Sequence, residues 1–79
     1  MNNEFDKTID EEMLTAFQIR LRQLMATKGF NQIRLADETG ISKILINKYI
    51  NGKTVPSILN LMKIARALGC TLDELLHVW

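Results

Sequence analysis

The sequence predicts an all-α fold of five helices joined by short connections. Apolar residues recur at intervals of three and four along most of the chain, as one buried face of a helix requires. Most of these stretches follow a residue suited to cap a helix, and most end near a glycine. No stretch alternates between apolar and polar residues as a half-buried strand would. With 79 residues, 47% hydrophobic and 24% charged, the chain is predicted to be a soluble globular unit with a small core.

The first helix is predicted to begin at a capping box and to end at a glycine. Thr8 and Glu11 have the spacing of this box, in which each side chain accepts a hydrogen bond from the other residue's backbone N–H group. Lys28 and Gly29 suit the other end, because a cation and then a glycine commonly terminate a helix. The predicted apolar face consists of Met13, Phe17, Leu21 and Leu24.

Two short helices are predicted next, separated by a tight turn. Asn31 is suited to cap the second helix, which ends at Gly40. Ser42 is suited to cap the third helix, which ends at Asn51 and Gly52. The predicted apolar sides consist of Leu35 and Ala36 in the second helix, and of Leu45, Ile46, Tyr49 and Ile50 in the third.

The last two helices follow an extended connection at Val55-Pro56, because a residue before proline avoids helical geometry. Ser57 is suited to cap the fourth helix, and Gly69 to end it. Thr71 and Glu74 form a second capping box, which opens the fifth helix. The predicted apolar faces consist of Ile58, Leu61, Ile64, Ala65 and Leu68, and then of Leu72, Leu75 and Leu76.

Charge is distributed unevenly along the chain. Residues 1–16 carry one lysine against five acidic residues, a net charge of −4, whereas residues 17–79 carry nine lysines or arginines against four acidic residues, a net charge of +5. We therefore divide the chain into an acidic, partly helical N-terminal extension (1–16) and a basic domain (17–79). A basic domain suits a polyanionic partner, although an ordinary solvated surface carries such charges too.

Residues that could carry catalysis or hold a metal are scarce. A lone His77 has no cysteine or carboxylate at ligand spacing, and there is no glycine-rich phosphate loop. The single cysteine, Cys70, is predicted to be a small buried apolar residue. The sequence therefore predicts no enzyme, no metal site and no cofactor. With neither a signal peptide nor a stretch that could cross a membrane, a cytoplasmic location is expected.

The second and third helices, joined by ETGIS, have the pattern of a helix-turn-helix motif, although plain helical bundles use such turns as well. From about Phe17 to Leu76 the chain resembles the Cro and phage-repressor-like (XRE-type) helix-turn-helix family. The resemblance is carried by LRQLMATKGFNQ, LADETGIS, NGK followed by PS, and IARALGCTLDELL. It implies a compact five-helix, lambda-repressor-like domain that binds a near-palindromic DNA operator as a homodimer and regulates transcription.

The resemblance also implies roles for individual residues. It places a reading helix at about residues 43–51, with Lys43, Ile44, Asn47 and Lys48 at the positions that face base edges. It places Gln32, Ser42, Asn51, Lys53 and Thr54 at positions that contact the DNA backbone. Gln32 also matches a glutamine that braces the reading helix.

Ile44 is unusual, since it is an apolar residue among lysines and asparagines. Isoleucine can make only an apolar contact, and the apolar group in the major groove is the thymine methyl. We therefore predict that Ile44 packs on a thymine. The alternatives are that Ile44 packs against Leu45 or the second helix, or that it contacts a protein partner.

The chain departs from the family pattern at two interior positions. The family often has a glutamate at the position of Ile50 and an arginine at that of Met25, where the two form an ion pair. Apolar residues can replace such a pair without loss of stability, so Met25 and Ile50 are predicted to touch. Four other apolar residues could cover the bundle or, as we favour, form a subunit interface. These residues are Leu59, Met62, Val78 and Trp79.

The leading prediction is therefore a sequence-specific DNA-binding transcriptional regulator, a repressor. Two other functions remain open. An antitoxin-type protein-interaction module would use the acidic extension to bind a basic partner. A helical adaptor would keep the fold without binding DNA, and Ile44, Leu45 and Ile50 are the features that leave this alternative open.

Overall fold

A computed structural model describes residues 4–76, with side chains from residue 11 onward. Within these residues the chain forms five helices and no strand, which confirms the all-α prediction. The helices are α1 (Glu4–Lys28), α2 (Gln32–Thr39), α3 (Lys43–Ile50), α4 (Ile58–Leu68) and α5 (Leu72–Leu75).

The caps predicted for α2 to α5 are confirmed. The side chains of Asn31, Ser42 and Ser57 each accept a hydrogen bond from a backbone N–H group three residues later. Thr71 and Glu74 form both halves of the capping box that opens α5. The hydrogen bond from the Thr71 backbone N–H lowers the pKa of the Glu74 carboxyl group, because it stabilises the charged form.

The predicted start of α1 is wrong. The helix runs without interruption from Glu4, so Thr8 and Glu11 lie inside it and form no N-terminal cap. No glycine or proline precedes Thr8. Each residue added to an existing helix therefore gains a backbone hydrogen bond without the cost of a new nucleus. The 25 residues of α1 span roughly 37 Å at the usual rise per residue, close to the 38 Å longest dimension of the molecule.

The core lies between all five helices. Its fully buried members come from every helix, so each helix contributes to the apolar cluster. Burial of a leucine or isoleucine side chain contributes about 1.5–3 kcal/mol to the free energy of folding. The five largest fully buried side chains are those of Leu21, Leu35, Ile46, Ile64 and Leu75.

Several residues predicted to face inward are instead exposed. Most lie at the first or last position of an apolar stripe. Helical spacing identifies a face of the helix but not how far along it the cover extends. The residues concerned are Met13, Leu45, Ile58, Leu72 and Leu76.

Met25 and Ile50, the two apolar residues at the positions of the family's ion pair, both join the core. Met25 is buried, whereas Ile50 is half-buried and packs against the cluster that contains Met25. A direct contact between them stays a prediction. Cys70 is half-buried and packs against the same cluster. Burial, and then the charge of Glu74, raise the pKa of its thiol.

Polar side chains fasten the helices to one another across long stretches of sequence. Arg20 Nε donates to the carbonyl oxygen of Glu74 at 2.6 Å, which joins α1 to the start of α5. Asn60 Nδ2 donates to the Tyr49 hydroxyl oxygen at 3.0 Å, which joins α4 to α3. In the described part of the chain, no helix is both long and apolar enough to cross a membrane.

Candidate nucleic-acid interface

The turn between α2 and α3 is built around a glycine and a buried threonine. Gly40 has φ of 73°, in the left-handed region that glycine tolerates best, and its N–H group donates to the carbonyl oxygen of Ala36. The Thr39 hydroxyl donates to the carbonyl oxygen of Leu35 at 2.7 Å and accepts from the N–H group of Ile41 at 3.2 Å. The buried hydroxyl of Thr39 is therefore satisfied within the turn, and its two bonds help to fix the angle between α2 and α3.

Gln32, at the start of α2, braces α3. Its Nε2 donates to the carbonyl oxygen of Lys43 at 3.4 Å, and its Oε1 accepts from Nδ2 of Asn47 at 3.3 Å. Both ends of one side-chain amide are thus in contact with the third helix. The position of Gln32 agrees with the bracing role implied by the resemblance.

The four side chains predicted to face base edges lie on one surface. They line an open depression together with Gln32. Ile44 is 72% exposed, so the alternative that it packs against the second helix or Leu45 is wrong. A protein partner for Ile44 remains an alternative. The residues are Lys43, Ile44, Asn47 and Lys48.

The residues predicted to contact the DNA backbone differ in how free their side chains are. Ser42 Oγ accepts from the N–H group of Leu45, and its own hydrogen remains available to a phosphate. Lys53 is exposed, whereas Thr54 is half-buried, with its hydroxyl 3.5 Å from the carbonyl oxygen of Val55.

Asn51 is the exception, because internal hydrogen bonds engage both ends of its amide. Its Oδ1 accepts from Nη2 of Arg22 at 3.1 Å, and its Nδ2 donates to the carbonyl oxygen of Asn47 at 2.9 Å. Arg22 also donates from Nε to the carbonyl oxygen of Ile50 at 3.0 Å. Sequence reasoning missed Arg22, because its two partners lie 28 and 29 positions further along the chain and no local pattern links residues so far apart.

A second exposed surface lies on α4 and is apolar. Leu59 and Met62, both predicted at a subunit interface, are exposed on this helix. Ile58 is 71% exposed beside them and was wrongly assigned to the core, so the interface prediction missed it. Val78 and Trp79 lie outside the described residues.

Among the residues that the structure describes, no three His, Cys, Asp or Glu side chains lie close enough together to hold a metal ion. The arrangement therefore offers cations, amides, a hydroxyl and one exposed isoleucine on a helix that a tight turn presents to solvent. An α-helix of this kind fits into the major groove of B-DNA, which is about 12 Å wide.

Comparison with known proteins decides the family. A helix-turn-helix family model, of the Cro/C1 (XRE) type, matches residues 21–75, well over half of the chain. The chain belongs to this family. The match includes every predicted DNA-contact residue and begins after the acidic extension.

Curated relatives of this family member come from bacteria and their phages. The cryptic phage CTXphi transcriptional repressor RstR of Vibrio cholerae is 46% identical over 64 residues, which cover 78% of this chain and 57% of RstR. The SPbeta prophage-derived uncharacterized HTH-type transcriptional regulator YonR of Bacillus subtilis is 38% identical over 60 residues, which cover 76% of this chain and 56% of YonR. The chain therefore spans little more than half the length of either relative.

A solved structure of similar fold covers most of the chain. The restriction-modification controller protein C.AhdI from Aeromonas hydrophila aligns with a TM-score of 0.74 at 34% sequence identity. The alignment covers 78% of this chain and 94% of C.AhdI. The five-helix arrangement is thus one that a controller protein also adopts.

Proposed function

We propose that this chain is a sequence-specific DNA-binding transcriptional regulator that reads the major groove with α3. The observation that carries the proposal is the exposed surface of Lys43, Ile44, Asn47 and Lys48, on a helix that Gln32 braces. A basic domain of net charge +5 suits the DNA phosphates, which dominate the affinity of such proteins. Family membership and relatives named as transcriptional regulators support the same conclusion.

The proposed contacts divide into base readout and backbone positioning. Lys43 and Lys48 contact guanine edges or phosphates, Asn47 contacts a base edge, and Ile44 packs on a thymine methyl. Three of the proposed backbone contacts keep a free N–H or O–H donor for a phosphate oxygen. These three residues are Gln32, Ser42 and Lys53. The Thr54 hydroxyl donates to the carbonyl oxygen of Val55, so Thr54 would have to give up that bond to reach a phosphate. Asn51 belongs to the same group by position, although its amide is engaged within the protein.

We further propose a homodimer and a repressor. The exposed apolar residues Ile58, Leu59 and Met62 lie together on α4, and a cluster of this kind is more often an interface than a free surface. A two-fold dimer on DNA places equal half-sites about one helical turn, ~34 Å, apart. The repressor assignment follows the name of RstR. A non-enzymatic role in the cytoplasm is part of the proposal.

A second candidate function rests on the outer face of α1. Glu11, Glu12 and Ile19 are exposed there and line a shallow depression with Thr15 and Ala16. An acidic face with an apolar centre fits a basic, partly apolar protein partner, as an antitoxin-type interaction module would require. Binding of such a partner is compatible with DNA binding, because the depression shares no residue with the DNA-contact surface.

The experiment that tests the leading proposal is a selection of bound duplexes from random DNA, followed by affinity measurements over a salt series. We expect a near-palindromic site, and a logarithm of the binding constant that falls linearly with the logarithm of salt concentration. A Lys43→Ala variant, which retains all other cations, should lose both affinity and part of the salt slope. Absence of any salt-dependent binding to duplex DNA by the unmodified chain contradicts the proposal.

A further inference from the structure

One side of α1 lies along the connection between α3 and α4. Leu14, Gln18 and Arg22 are four residues apart and therefore occupy one side of the helix. Each of them lies beside a successive part of the segment 50–55. This segment carries Lys53 and Thr54, two of the proposed contacts to the DNA backbone.

These three neighbourhoods follow the chain in order. Arg22 donates two hydrogen bonds to Ile50 and Asn51, as described above. Gln18 packs against Gly52 so closely that an added β-carbon there would lie 2.6 Å from Gln18 Oε1, and Gly52 has φ of +69°. Leu14, together with Met13, lines a groove with Lys53, Thr54 and Val55.

Arg22 makes the strongest of these contacts. The carbonyl oxygen of Ile50 is among the last four of α3, which have no partner within the helix, and a cation near a helix C-terminus is electrostatically favourable. The planar guanidinium donates to both acceptors at once, from Nε to this carbonyl oxygen and from Nη2 to Asn51 Oδ1. A lysine ammonium is a compact point donor and cannot reproduce that fork.

We propose that Arg22 is a positioning residue for DNA-backbone binding, which acts through Asn51 and the turn that presents Lys53. This inference rests on the proposed function. Asn51 links Arg22 to α3, because its Oδ1 accepts from Arg22 while its Nδ2 donates to the carbonyl oxygen of Asn47. The Lys53 N–H group in turn donates to the carbonyl oxygen of Lys48 at 2.9 Å. With the turn held in this way, Lys53 meets a phosphate without first paying the entropy of ordering the loop.

The chain offers a matched control two residues away. Arg20 lies on the same helix and also donates from Nε to a backbone carbonyl oxygen, but that carbonyl belongs to Glu74 at the start of α5. Arg22→Lys and Arg20→Lys therefore both keep the charge and both lose the guanidinium fork. They differ in the contact that is lost: Arg22→Lys loosens the turn after α3, whereas Arg20→Lys loosens the link to α5.

The test measures the affinity of both variants for the selected operator duplex over a salt series, together with their thermal unfolding midpoints. We expect Arg22→Lys to bind about tenfold more weakly at fixed salt, the scale of one charge-assisted hydrogen bond. We expect its logarithmic salt slope to fall in magnitude by about 1, as for the loss of one phosphate contact, although its net charge is unchanged. Arg20→Lys should lower the unfolding midpoint but keep the affinity and the slope.

A double variant tests the route through Asn51. Asn51→Ala alone should weaken binding to a similar extent, and Arg22→Lys with Asn51→Ala should bind no more weakly than the weaker single variant. Wild-type affinity in Arg22→Lys, an equal loss in Arg20→Lys, or multiplied losses in the double variant each overturn the inference. If the unmodified chain binds no duplex, both the proposed function and this inference fail. If the unmodified chain binds and Arg22→Lys binds equally well, only this inference fails.

Discussion

Two isoleucines, Ile44 on α3 and Ile58 on α4, are almost equally exposed, at 72% and 71%, yet their surroundings differ in kind. Ile44 lies among Lys43, Asn47 and Lys48, in a depression edged by cations and amides. Ile58 lies beside Leu59 and Met62, so its surroundings are apolar. The exposure of a side chain is therefore a poor guide to its partner.

The neighbours of each isoleucine indicate what covers it. A single exposed apolar residue is normal on a protein surface, but several together usually mark an interface. Around Ile58 the cluster favours an equally apolar partner, which in the proposed homodimer is a second copy of the chain. Around Ile44 the cations favour a polyanion as the partner. Burial of the isoleucine against that polyanion is favourable only where the polyanion offers an apolar group. Double-stranded DNA with a thymine methyl meets both conditions.

The largest expected effect comes from reversing the charges beside Ile44. Lys43→Glu with Lys48→Glu should weaken duplex binding about a hundredfold or more, because two proposed phosphate or guanine contacts become repulsive. Self-association, measured by sedimentation, should be unchanged. A control with Lys28→Glu and Lys63→Glu makes the same change in net charge at exposed sites away from that depression. Equal losses in the two variants would mean that binding depends only on total charge.

The same substitution at each isoleucine separates the two surfaces. Ile58→Asp should weaken self-association at least about tenfold, since an unpaired carboxylate would be buried in the interface, and should leave binding to a single half-site unchanged. Ile44→Asp should do the reverse. Asp is tolerated at both positions, which lie in the first turn of their helices. Sedimentation at tens of micromolar and titration with a half-site duplex distinguish the two; a loss of both properties in one variant would contradict the division.

A smaller effect tests the apolar contact itself. Replacing one thymine of the half-site with uracil removes only the methyl group, and should weaken wild-type binding by roughly 1 kcal/mol, the scale of one buried CH₂ group. The same uracil should have no effect on binding of an Ile44→Ala variant. If both proteins lose affinity equally, or neither does, Ile44 does not read that methyl.

The smallest effect on binding is expected from a substitution at the hydrogen bond between α3 and α4. Tyr49→Phe removes the hydroxyl that accepts from Asn60, and so should lower the free energy of unfolding by about 1 kcal/mol. Neither surface loses a contact group, so duplex affinity and self-association should each change less than twofold. Thermal unfolding measures the first quantity. A large change in either binding property would show that the isoleucine surfaces are coupled through this bond.

Sequence predicted best where an element depends on neighbours in the chain. The caps at Asn31, Ser42 and Ser57 were predictable because each side chain bonds a backbone group three residues away. The same local rule failed at Thr8, where the helix continues to Glu4, since a capping box marks an end only if the chain leaves the helix there. The grouping of Lys43, Ile44, Asn47 and Lys48 followed from helical spacing together with the family resemblance.

Features that depend on distant residues were missed. Ile58 belongs to an apolar repeat by spacing, but whether a neighbouring helix covers it is decided by the packing of the whole domain. The bonds of Arg22 to the end of α3 join residues far apart in sequence, and nothing near Arg22 marks it. Packing of α1 against the connection after α3 is likewise a property of the folded chain.

The contact between Gln32 and α3 sets the orientation of the Asn47 amide, which the proposed function places at a base edge. A backbone carbonyl can only accept a hydrogen bond, so the carbonyl of Lys43 fixes which end of the Gln32 amide faces it. Gln32 then presents its oxygen to Asn47, which must answer with Nδ2. Turning either amide over would bring two carbonyl oxygens together. The orientation of the Asn47 amide is thereby set by the main chain: its Oδ1 is left to accept from a donor on a base edge, and its Nδ2 keeps one N–H group beside it.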